Sequence, residues 1–544
     1  MKKIATLLLA AGLVFGAATG ASAIDFKAKG QWIMSFDYGQ NGTFQGKYKG
    51  HTPTGFNKKQ DDFEARQRVR LQLDAVASES LSGTVYFEIG EQFWGKADQG
   101  GALGADGNSI IKLKQAYIDW MVPETDLKFR MGLQNITTPA YASGNSVLND
   151  DVAAIVANYQ INEMVGVTAF WARPYNDNFA GYTENNGHKA WRANYMDNLD
   201  AFGLLVPLTF DGVKVTPWGM YAAIGPNTFR DATRVMDEDE YGKYNDVNDA
   251  FGNIPGAGSA YVNAGLFPAG GPRHKDFSEA DGIASRRLSQ YGNAWWGGLS
   301  GELTMFDPFR LAWDFEYGSV TWEDDGRLNR QGWFATLLAE YKLDWATPGL
   351  YGWYSSGDDN NPSNGSERLP ALGYENTNKY SNFAFDGDPY IARDHMFGRN
   401  MAGTWGVGAR LKDMSFIEDL KHTFRFNFMG GTNSKSMAKK MSRAGLWANG
   451  TGLDEVPSFG TRQGGTFPLG HEEMYLTTGD TALELGLTNT YKMYENFTIS
   501  LEADYIALWL DTSKSAWGAR HKEGMSIPQT KDAWNINASF VYSF

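Results

Sequence analysis

The C-terminal stretch from Asp532 to Phe544 constrains the fold more than any other part of the chain. Every second residue in it is apolar: Trp534, Ile536, Ala538, Phe540, Tyr542 and Phe544. The residues between them are polar apart from Val541. A strict period of two is typical of a β-strand with one apolar and one polar face. A terminal strand this apolar must pair with something, and closure onto the first strand removes both sheet edges. We therefore predict a closed β-barrel, with Phe540, Tyr542 and Phe544 as residues of barrel closure and assembly.

The other end of the chain matches this pattern. Residues 1–23 are typical of a secretory signal peptide, with two lysines, an apolar run and an Ala21-Ser22-Ala23 cleavage site. The mature chain then begins near Ile24, and alternation resumes at once between Phe26 and Tyr38. First and last strands share one pattern, as a closing seam requires. We predict a signal peptide over 1–23 and a single barrel domain over 24–544.

Composition excludes several classes of protein. The 544 residues include no cysteine, which excludes disulfides, cysteine-ligated zinc and thiol catalysis. The formal net charge of −14 argues against nucleic acid as a partner, because nucleic-acid binding requires a basic face. The chain has no second long apolar run, so a helical membrane protein is excluded. A transmembrane barrel remains open, since only alternate residues of its strands face lipid.

Alternating segments recur along the whole chain and predict its strands. Short and long connections alternate between these segments, as in barrels with short periplasmic turns and long extracellular loops. We therefore predict an all-β, transmembrane antiparallel β-barrel in the bacterial outer membrane. Eighteen strands are expected, with sixteen as the alternative because 153–173 and 349–356 are weakly patterned. The eighteen segments are 26–38, 62–77, 81–94, 111–122, 127–135, 153–161, 164–173, 199–209, 213–224, 294–306, 309–322, 330–344, 349–356, 403–412, 421–432, 480–491, 497–511 and 532–544.

Several segments carry a family resemblance. The aromatic C-terminus resembles the ends of bacterial outer-membrane porins. Three stretches are similar to the homotrimeric porins of sulfate-reducing bacteria: Tyr475-Leu-Thr-Thr-Gly-Asp480, Phe170-Trp-Ala-Arg-Pro174, and the hairpin from Ala116-Tyr-Ile-Asp-Trp120 to Leu127-Lys-Phe-Arg-Met-Gly-Leu-Gln134. The resemblance covers the strands and not the long loops. It implies a homotrimer of barrels in outer-membrane lipid that passes small hydrophilic solutes and inorganic ions.

Basic residues recur on the inward face of the early strands. Arg66, Arg68 and Arg70 stand at a spacing of two on the second strand, and Lys128 and Arg130 do so on the fifth. On a lipid face each arginine would cost about 2–4 kcal/mol near the midplane, so all must face the lumen. One interpretation is that neighbouring acids such as Glu64 and Glu88 pair with them. The other is a basic strip on one wall of a pore constriction.

Acidic residues provide candidate partners. Asp150 and Asp151 fall in the third long connection, Asn135 to Val152. The porin resemblance implies that this loop folds into the lumen and sets the two acids against the arginines, where charged rings decide which ions enter. Later strands carry further inward acids, which predict an acidic surface there: Glu302, Asp314, Glu316, Glu340, Glu484, Glu502 and Asp504.

Catalytic and metal-binding signals are weak. We find no G-x-S-x-G, P-loop or H-E-x-x-H motif, and six of the seven histidines fall in predicted outer loops, His422 being the exception. We expect no enzyme activity, no metal site and no cofactor. Two acidic stretches, Asp237 to Glu240 and Asp358 to Asn361, are candidates for divalent cations in the outer loops, although solvated acidic loops are the commoner explanation because calcium requires six to eight converging oxygens.

These observations leave four functions open. The leading hypothesis is an outer-membrane porin for passive diffusion through a charged constriction. The first alternative is a substrate-specific channel for anions or sugars, which the arginine ladder also allows. A barrel enzyme, such as a protease or phospholipase, lacks a nucleophile beside its loop histidines. A surface adhesin would use the long loops and require no open lumen.

Overall fold

The computed structural model describes the barrel strands and part of the connections between them. The described residues are 24–40, 62–96, 101–104, 111–176, 184–185, 188–189, 198–225, 265–266, 268, 290–323, 326–361, 363–373, 378–385, 387, 390–392, 396–398, 400–438, 475–511 and 532–544. The predicted signal peptide and the acidic stretch 237–240 lie outside them.

The alternating segments form eighteen antiparallel barrel strands. They are β1 (Asp25–Gln40), β2 (Asp62–Ser78), β3 (Leu81–Phe93), β4 (Ile111–Met121), β5 (Leu127–Thr137), β6 (Asn149–Gln160), β7 (Gly166–Asn176), β8 in two parts (Asn198–Leu205 and Leu208–Phe210), β9 (Val213–Ile224), β10 (Gly292–Phe306), β11 (Phe309–Thr321), β12 (Arg330–Tyr341), β13 (Thr347–Ser355), β14 (Thr404–Ile417), β15 (Leu420–Gly431), β16 (Thr481–Tyr494), β17 (Phe497–Trp509) and β18 (Ala533–Ser543). Both parts of β8 pair with β9 and so count as one strand. A separate small hairpin joins Glu184–Asn185 to His188–Lys189.

The sheet closes between its first and last strands. β1 pairs antiparallel with β18, from Gln31 opposite Ser543 to Gln40 opposite Trp534. Beyond this ladder, Gly30 N donates to Phe544 O at 2.9 Å, and Phe544 N donates to Gly30 O at 3.0 Å. The prediction of a closed barrel with eighteen strands is confirmed, and the alternative of sixteen is wrong.

The two ends of the barrel differ. At one end the strands join through short turns, including the two-residue turns Glu79–Ser80, Asp307–Pro308 and Glu495–Asn496. This is the periplasmic end of an outer-membrane barrel. No helix among the described residues has the length and hydropathy of a membrane span.

Exposed aromatic side chains mark both ends of the outer surface. The periplasmic set is Trp120, Phe210, Phe306, Phe309, Tyr341, Trp345, Phe416, Tyr491, Tyr494, Tyr542 and Phe544, and the opposite set is Tyr38, Phe63, Trp94, Trp171, Phe202, Trp295, Trp333, Tyr354 and Trp509. Paired aromatic girdles around an apolar band are the outer surface of a barrel that spans a bilayer. The protein therefore lies in the bacterial outer membrane.

Two strand boundaries differ from the sequence-based expectation by four residues or more. β6 begins at Asn149 rather than at 153, because its polar first residues pair with the end of β5. β14 runs to Ile417 rather than to 412, with register shifts between Leu411, Met414 and Ile417. A register shift interrupts the period of two, which hides the end of such a strand in the sequence.

The core of the molecule lies inside the barrel. Residues 138–148, here called the first inward segment, and the described residues between 363 and 403, the second inward segment, fold into the lumen. Leu372 N donates to Val147 O at 2.8 Å and Lys379 N donates to Ser143 O at 2.8 Å, so the two segments are joined. Most of their apolar side chains are buried in one cluster with inward residues of β5 to β18, including Trp218, Trp296, Phe334, Leu338 and Trp353. Ile391 of the second inward segment packs instead against Ile33 of β1 and Val541 of β18.

Candidate functional site: the lumenal passage

The inner surface has covered parts and open parts. The inward carboxylates Asp314 and Glu484 on β11 and β16 are each 1% exposed, because the inward segments lie against them. On the early strands, the side chains of Arg70 and Arg130 keep 26% and 34% of their surface exposed. Arg310 on β11 and Lys214 on β9 also keep 29% and 52% of their side-chain surface exposed, so solvent reaches charged side chains on early and middle strands alike.

The three arginines of β2 each contact an acid. Arg66 is 1% exposed, and its Nη2 lies 2.7 Å from Asp37 Oδ2 on β1. Arg68 Nη1 lies 3.6 Å from Glu91 Oε1, and Arg70 Nε donates to Glu88 Oε2 at 2.8 Å. Of the two interpretations offered by the sequence, pairing of the arginines with neighbouring acids describes the inner face of β2.

The other basic residues of the early strands are paired as well. Lys128 Nζ lies 3.2 Å from Asp119 Oδ2, and Arg130 donates to both Asp119 oxygens at 2.7 and 2.9 Å. Seven basic residues of these strands have a carboxylate oxygen between 2.6 and 3.6 Å away: Arg66, Arg68, Arg70, Lys112, Lys114, Lys128 and Arg130. Their role in a constriction stays a prediction.

A register shift brings in a residue that sequence reasoning missed. Between β2 and β3 the register shifts at Glu91, whose carboxylate then contacts both Arg66 and Arg68. Gly90 beside it has φ of 113°, a backbone conformation that favours glycine. Bulges of this kind re-aim side chains, which a strict alternation misplaces. The glycine within a charged strand is the sequence signal that could have revealed Glu91.

Asp150 and Asp151 are not on the inward segment. Both belong to β6, opposite Ile136 and Asn135 of β5. Asp151 accepts Gln115 Nε2 at 2.6 Å, and its Oδ2 lies 2.6 Å from Lys114 Nζ, where the register between β3 and β4 shifts. The prediction that these acids cross the lumen on the third connection is wrong, because hydrogen bonding to β5 extends the strand through them.

Wall carboxylates hold both inward segments. Asp314 accepts three consecutive backbone N–H groups, from Tyr141 at 2.7 Å, Ala142 at 2.9 Å and Ser143 at 3.0 Å. Glu484 accepts the N–H groups of Phe383 at 3.1 Å and Ala384 at 3.0 Å. These two belong to the seven acids that were expected to give an acidic lumenal surface. That expectation is wrong for six of the seven, since Glu316, Glu340, Glu502 and Asp504 are buried as well, at 0 to 7% exposure.

Two arginines connect the covered wall to the segments. Arg310 donates to Glu302 at 2.9 Å, to Glu340 at 2.8 Å and to the backbone oxygen of Tyr141 at 3.1 Å. Arg410 donates to Glu340 at 2.6 Å and to the backbone oxygen of Lys379 at 2.8 Å. Sequence reasoning missed both arginines, although each stands in an alternating strand.

Neighbouring residues form hydrogen bonds to the acidic stretch at Asp358. Asp358 is 2% exposed and accepts Ser366 Oγ at 2.5 Å and the Tyr475 hydroxyl at 2.5 Å. No group of three or more His, Asp or Glu side chains that could hold a metal occurs in the part of the chain that the structure describes. Divalent-cation binding in the outer loops stays a prediction.

The closing aromatics lie on the outer surface at the seam. The Trp32 ring centroid is 6.4 Å from that of Tyr542 and 6.1 Å from that of Phe544, and Phe36 is 6.0 Å from Phe540. A Cβ added at Gly30 would lie 2.5 Å from the Phe544 ring. Glycine at this position therefore leaves room for the terminal aromatic ring.

Comparison with known proteins gives structural likeness alone. The chain matches no protein-family model. It also matches no curated protein. It is similar to solved structures of Pseudomonas aeruginosa OpdQ (11% identity, TM-score 0.44, covering 96% of this chain and 98% of that one), OccK9, also called OpdG (10%, 0.46, 95% and 98%), and OprD (9%, 0.45, 95% and 95%).

Proposed function

We propose that the chain is an outer-membrane channel that passes small hydrophilic solutes and inorganic ions. The observation that carries this proposal is the unequal covering of the inner surface. The inward segments bury Asp314 and Glu484, whereas charged side chains of β2, β5, β9 and β11 keep contact with solvent. Charged inward side chains of a barrel require water beside them, and a water-filled path through the barrel is a channel.

The geometry favours the substrate-specific alternative over unrestricted passive diffusion. Asp314 and Glu484 hold the two inward segments in place, so the passage is narrowed by anchored structure. Along the open wall, ion pairs follow one another from Arg66 to Arg130. A solute that carries charge meets both signs at close quarters, and such contacts give weak, saturable binding.

A homotrimer is the assembly that we propose, and membership of the trimeric porins of sulfate-reducing bacteria is part of the same proposal. Its support is an outward cluster of amides on β2 and β3. Gln67 Nε2 donates to Gln92 Oε1 at 2.8 Å, and Trp94 Nε1 donates to Gln67 Oε1 at 3.1 Å. Polar side chains on a membrane-facing surface suit contact with a neighbouring protein better than contact with lipid.

An enzymatic role has less support. His422 Nδ1 lies 2.6 Å from Asn489 Oδ1, a contact that orients the ring without placing it beside a nucleophile. We propose no cofactor for the channel.

Planar-bilayer recording of the purified, detergent-folded protein tests the proposal. We expect stepwise ohmic currents, and a current reduction that saturates as one class of permeant solute is added. Large steps that no solute reduces would favour passive diffusion. A protein that shows the heat-modifiable mobility of a folded barrel but carries no current would overturn the channel.

A further inference from the structure

Lys379 lies where the two inward segments meet. Its backbone N–H donates to Ser143 O at 2.8 Å, and its Nζ reaches across to Ala140 O at 3.4 Å. The residues on either side, Asn378 and Tyr380, are buried at 4% and 0% exposure, but Lys379 itself is exposed. Because the inward segments fold inside the barrel, the solvent that the ammonium group contacts is the water of the barrel interior.

The charged groups that face Lys379 already pair with other groups. Of the residues that the structure describes, they are Glu302, Arg310, Asp314 and Arg410. Arg310 and Arg410 both contact Glu340, Arg310 also contacts Glu302, and Asp314 accepts three backbone N–H groups. Among the described residues, Lys379 Nζ has a backbone carbonyl as its hydrogen-bond partner and no carboxylate within ion-pair distance.

The sum of these charges is positive. Lys214 lies 3.1 Å from Glu302 and joins the same network. Counted with Glu316, which lies beside Asp314, and Lys412, which lies near Glu340, five bases (Lys214, Arg310, Lys379, Arg410 and Lys412) stand with four acids (Glu302, Asp314, Glu316 and Glu340). An ion pair acts at a distance as a dipole, whose effect falls off faster than that of a single charge. The surplus charge of the network is thus presented to the passage by the exposed Lys379.

We propose that Lys379 sets the charge preference of the passage and favours small anions over cations. This inference rests on the proposed channel function. Narrow clefts with low-dielectric walls focus the field of such a charge on whatever passes. Arg425 on β15 carries the same sign and donates to Thr488 Oγ1 at 3.1 Å. It is less exposed than Lys379, so we assign it the smaller effect.

The absence of cysteine from the chain allows a direct test within one folded protein. Lys379→Cys is incorporated into a planar bilayer, and the zero-current potential is measured across a gradient of potassium chloride. A methanethiosulfonate reagent with an ammonium group then restores the positive charge, and one with a sulfonate group makes the residue negative. The matched control is Lys342→Cys, at the periplasmic turn between β12 and β13.

We expect the ratio of chloride to potassium permeability to fall roughly 25-fold in Lys379→Cys, because a unit charge near 4 Å in water favours chloride and disfavours potassium by about fivefold each. The ammonium reagent should restore the parent ratio, and the sulfonate reagent should lower it by a similar factor again. Lys342→Cys should shift the ratio far less under each treatment. Lys379→Arg, which keeps the charge, should match the parent.

Each remaining outcome overturns a defined statement. A parent protein without current overturns the channel and this inference with it. Currents whose zero-current potential ignores the charge at position 379, or follows position 342 equally, overturn the inference alone. If Lys379→Cys yields no folded barrel, Lys379→Gln replaces it, and a parent-like ratio in that variant also overturns the inference.

Discussion

The bond set at Asp314 predicts what happens when the first inward segment loses its anchor. Asp314 receives three backbone N–H groups from residues 141–143 at 2.7 to 3.0 Å. Asp314→Asn keeps one acceptor oxygen but turns an NH2 group toward N–H donors that previously met a carboxylate oxygen. The side chain changes little in size, so the substitution tests the hydrogen bonds rather than the packing.

The magnitude follows from the bonds lost. Ala142 and Ser143 both donate to Oδ2 and Tyr141 donates to Oδ1, so an asparagine, which can place its one oxygen at either position, loses one or two bonds to a charged acceptor. Hydrogen bonds to charged groups contribute about 1.5–3 kcal/mol each, which gives a loss of about 1.5–6 kcal/mol. Since 1.4 kcal/mol is a tenfold change in an equilibrium constant, the detached fraction of the segment should rise at least about tenfold.

Single-channel recording measures this change. We expect Asp314→Asn to show brief excursions to a larger conductance, because a detached segment widens the passage. Ser300→Ala is the control, since it removes one neutral bond, from Ser300 Oγ to Pro139 O at 2.9 Å, and costs about 1 kcal/mol. If Asp314→Asn folds and its current trace matches that of Ser300→Ala, the carboxylate does not hold the segment.

Three further predictions concern the seam, the trimer and the open wall. Phe544→Ala should lose about 2 kcal/mol of apolar burial but reduce the amount of protein in the outer membrane far more, and equal amounts of variant and parent would contradict a role in assembly. Ala28→Trp should yield monomers on a native gel if the early strands meet in a trimer. Gly30 is unsuited to this test because the Phe544 ring occupies the space beside it. A trimer of unchanged heat stability in Ala28→Trp would place the contact elsewhere. Arg70→Gln should move the zero-current potential toward cation preference and Asp151→Asn toward anion preference, and both shifts should shrink near 1 M salt, where the screening length is about 3 Å. Shifts of the same sign, or none, would rule out opposed charges along the passage.

The barrel strands were predictable because the sequence of each strand carries the pattern of its own secondary structure. Lipid outside and polar groups inside impose a period of two on every strand, and short turns mark where consecutive strands pair. The inward direction of Arg66, Arg68 and Arg70 followed from the cost of an arginine in lipid. These are local rules, and a single strand contains the information that they need.

The interior could not be predicted in the same way. An inward acid such as Asp314 has the same sequence pattern whether it faces water or accepts Tyr141 N, a residue 173 positions away. Glu91 stands one residue out of phase, because a register shift turns its carboxylate toward the arginines. Lys379 lies in a long connection without periodicity. Its position depends on contacts with another connection and with a distant strand.

The seam between β1 and β18 also has a consequence for how the barrel forms. Every other strand pairs with its neighbour along the chain, but Gln31 meets Ser543 across about 500 residues. A flexible loop of that length costs about 3 kcal/mol more entropy to close than a hairpin of about 15 residues. The penalty largely disappears once the intervening strands have paired and curved. Barrel closure is therefore a late event, and until then the edges of β1 and β18 offer unpaired backbone groups to any other chain.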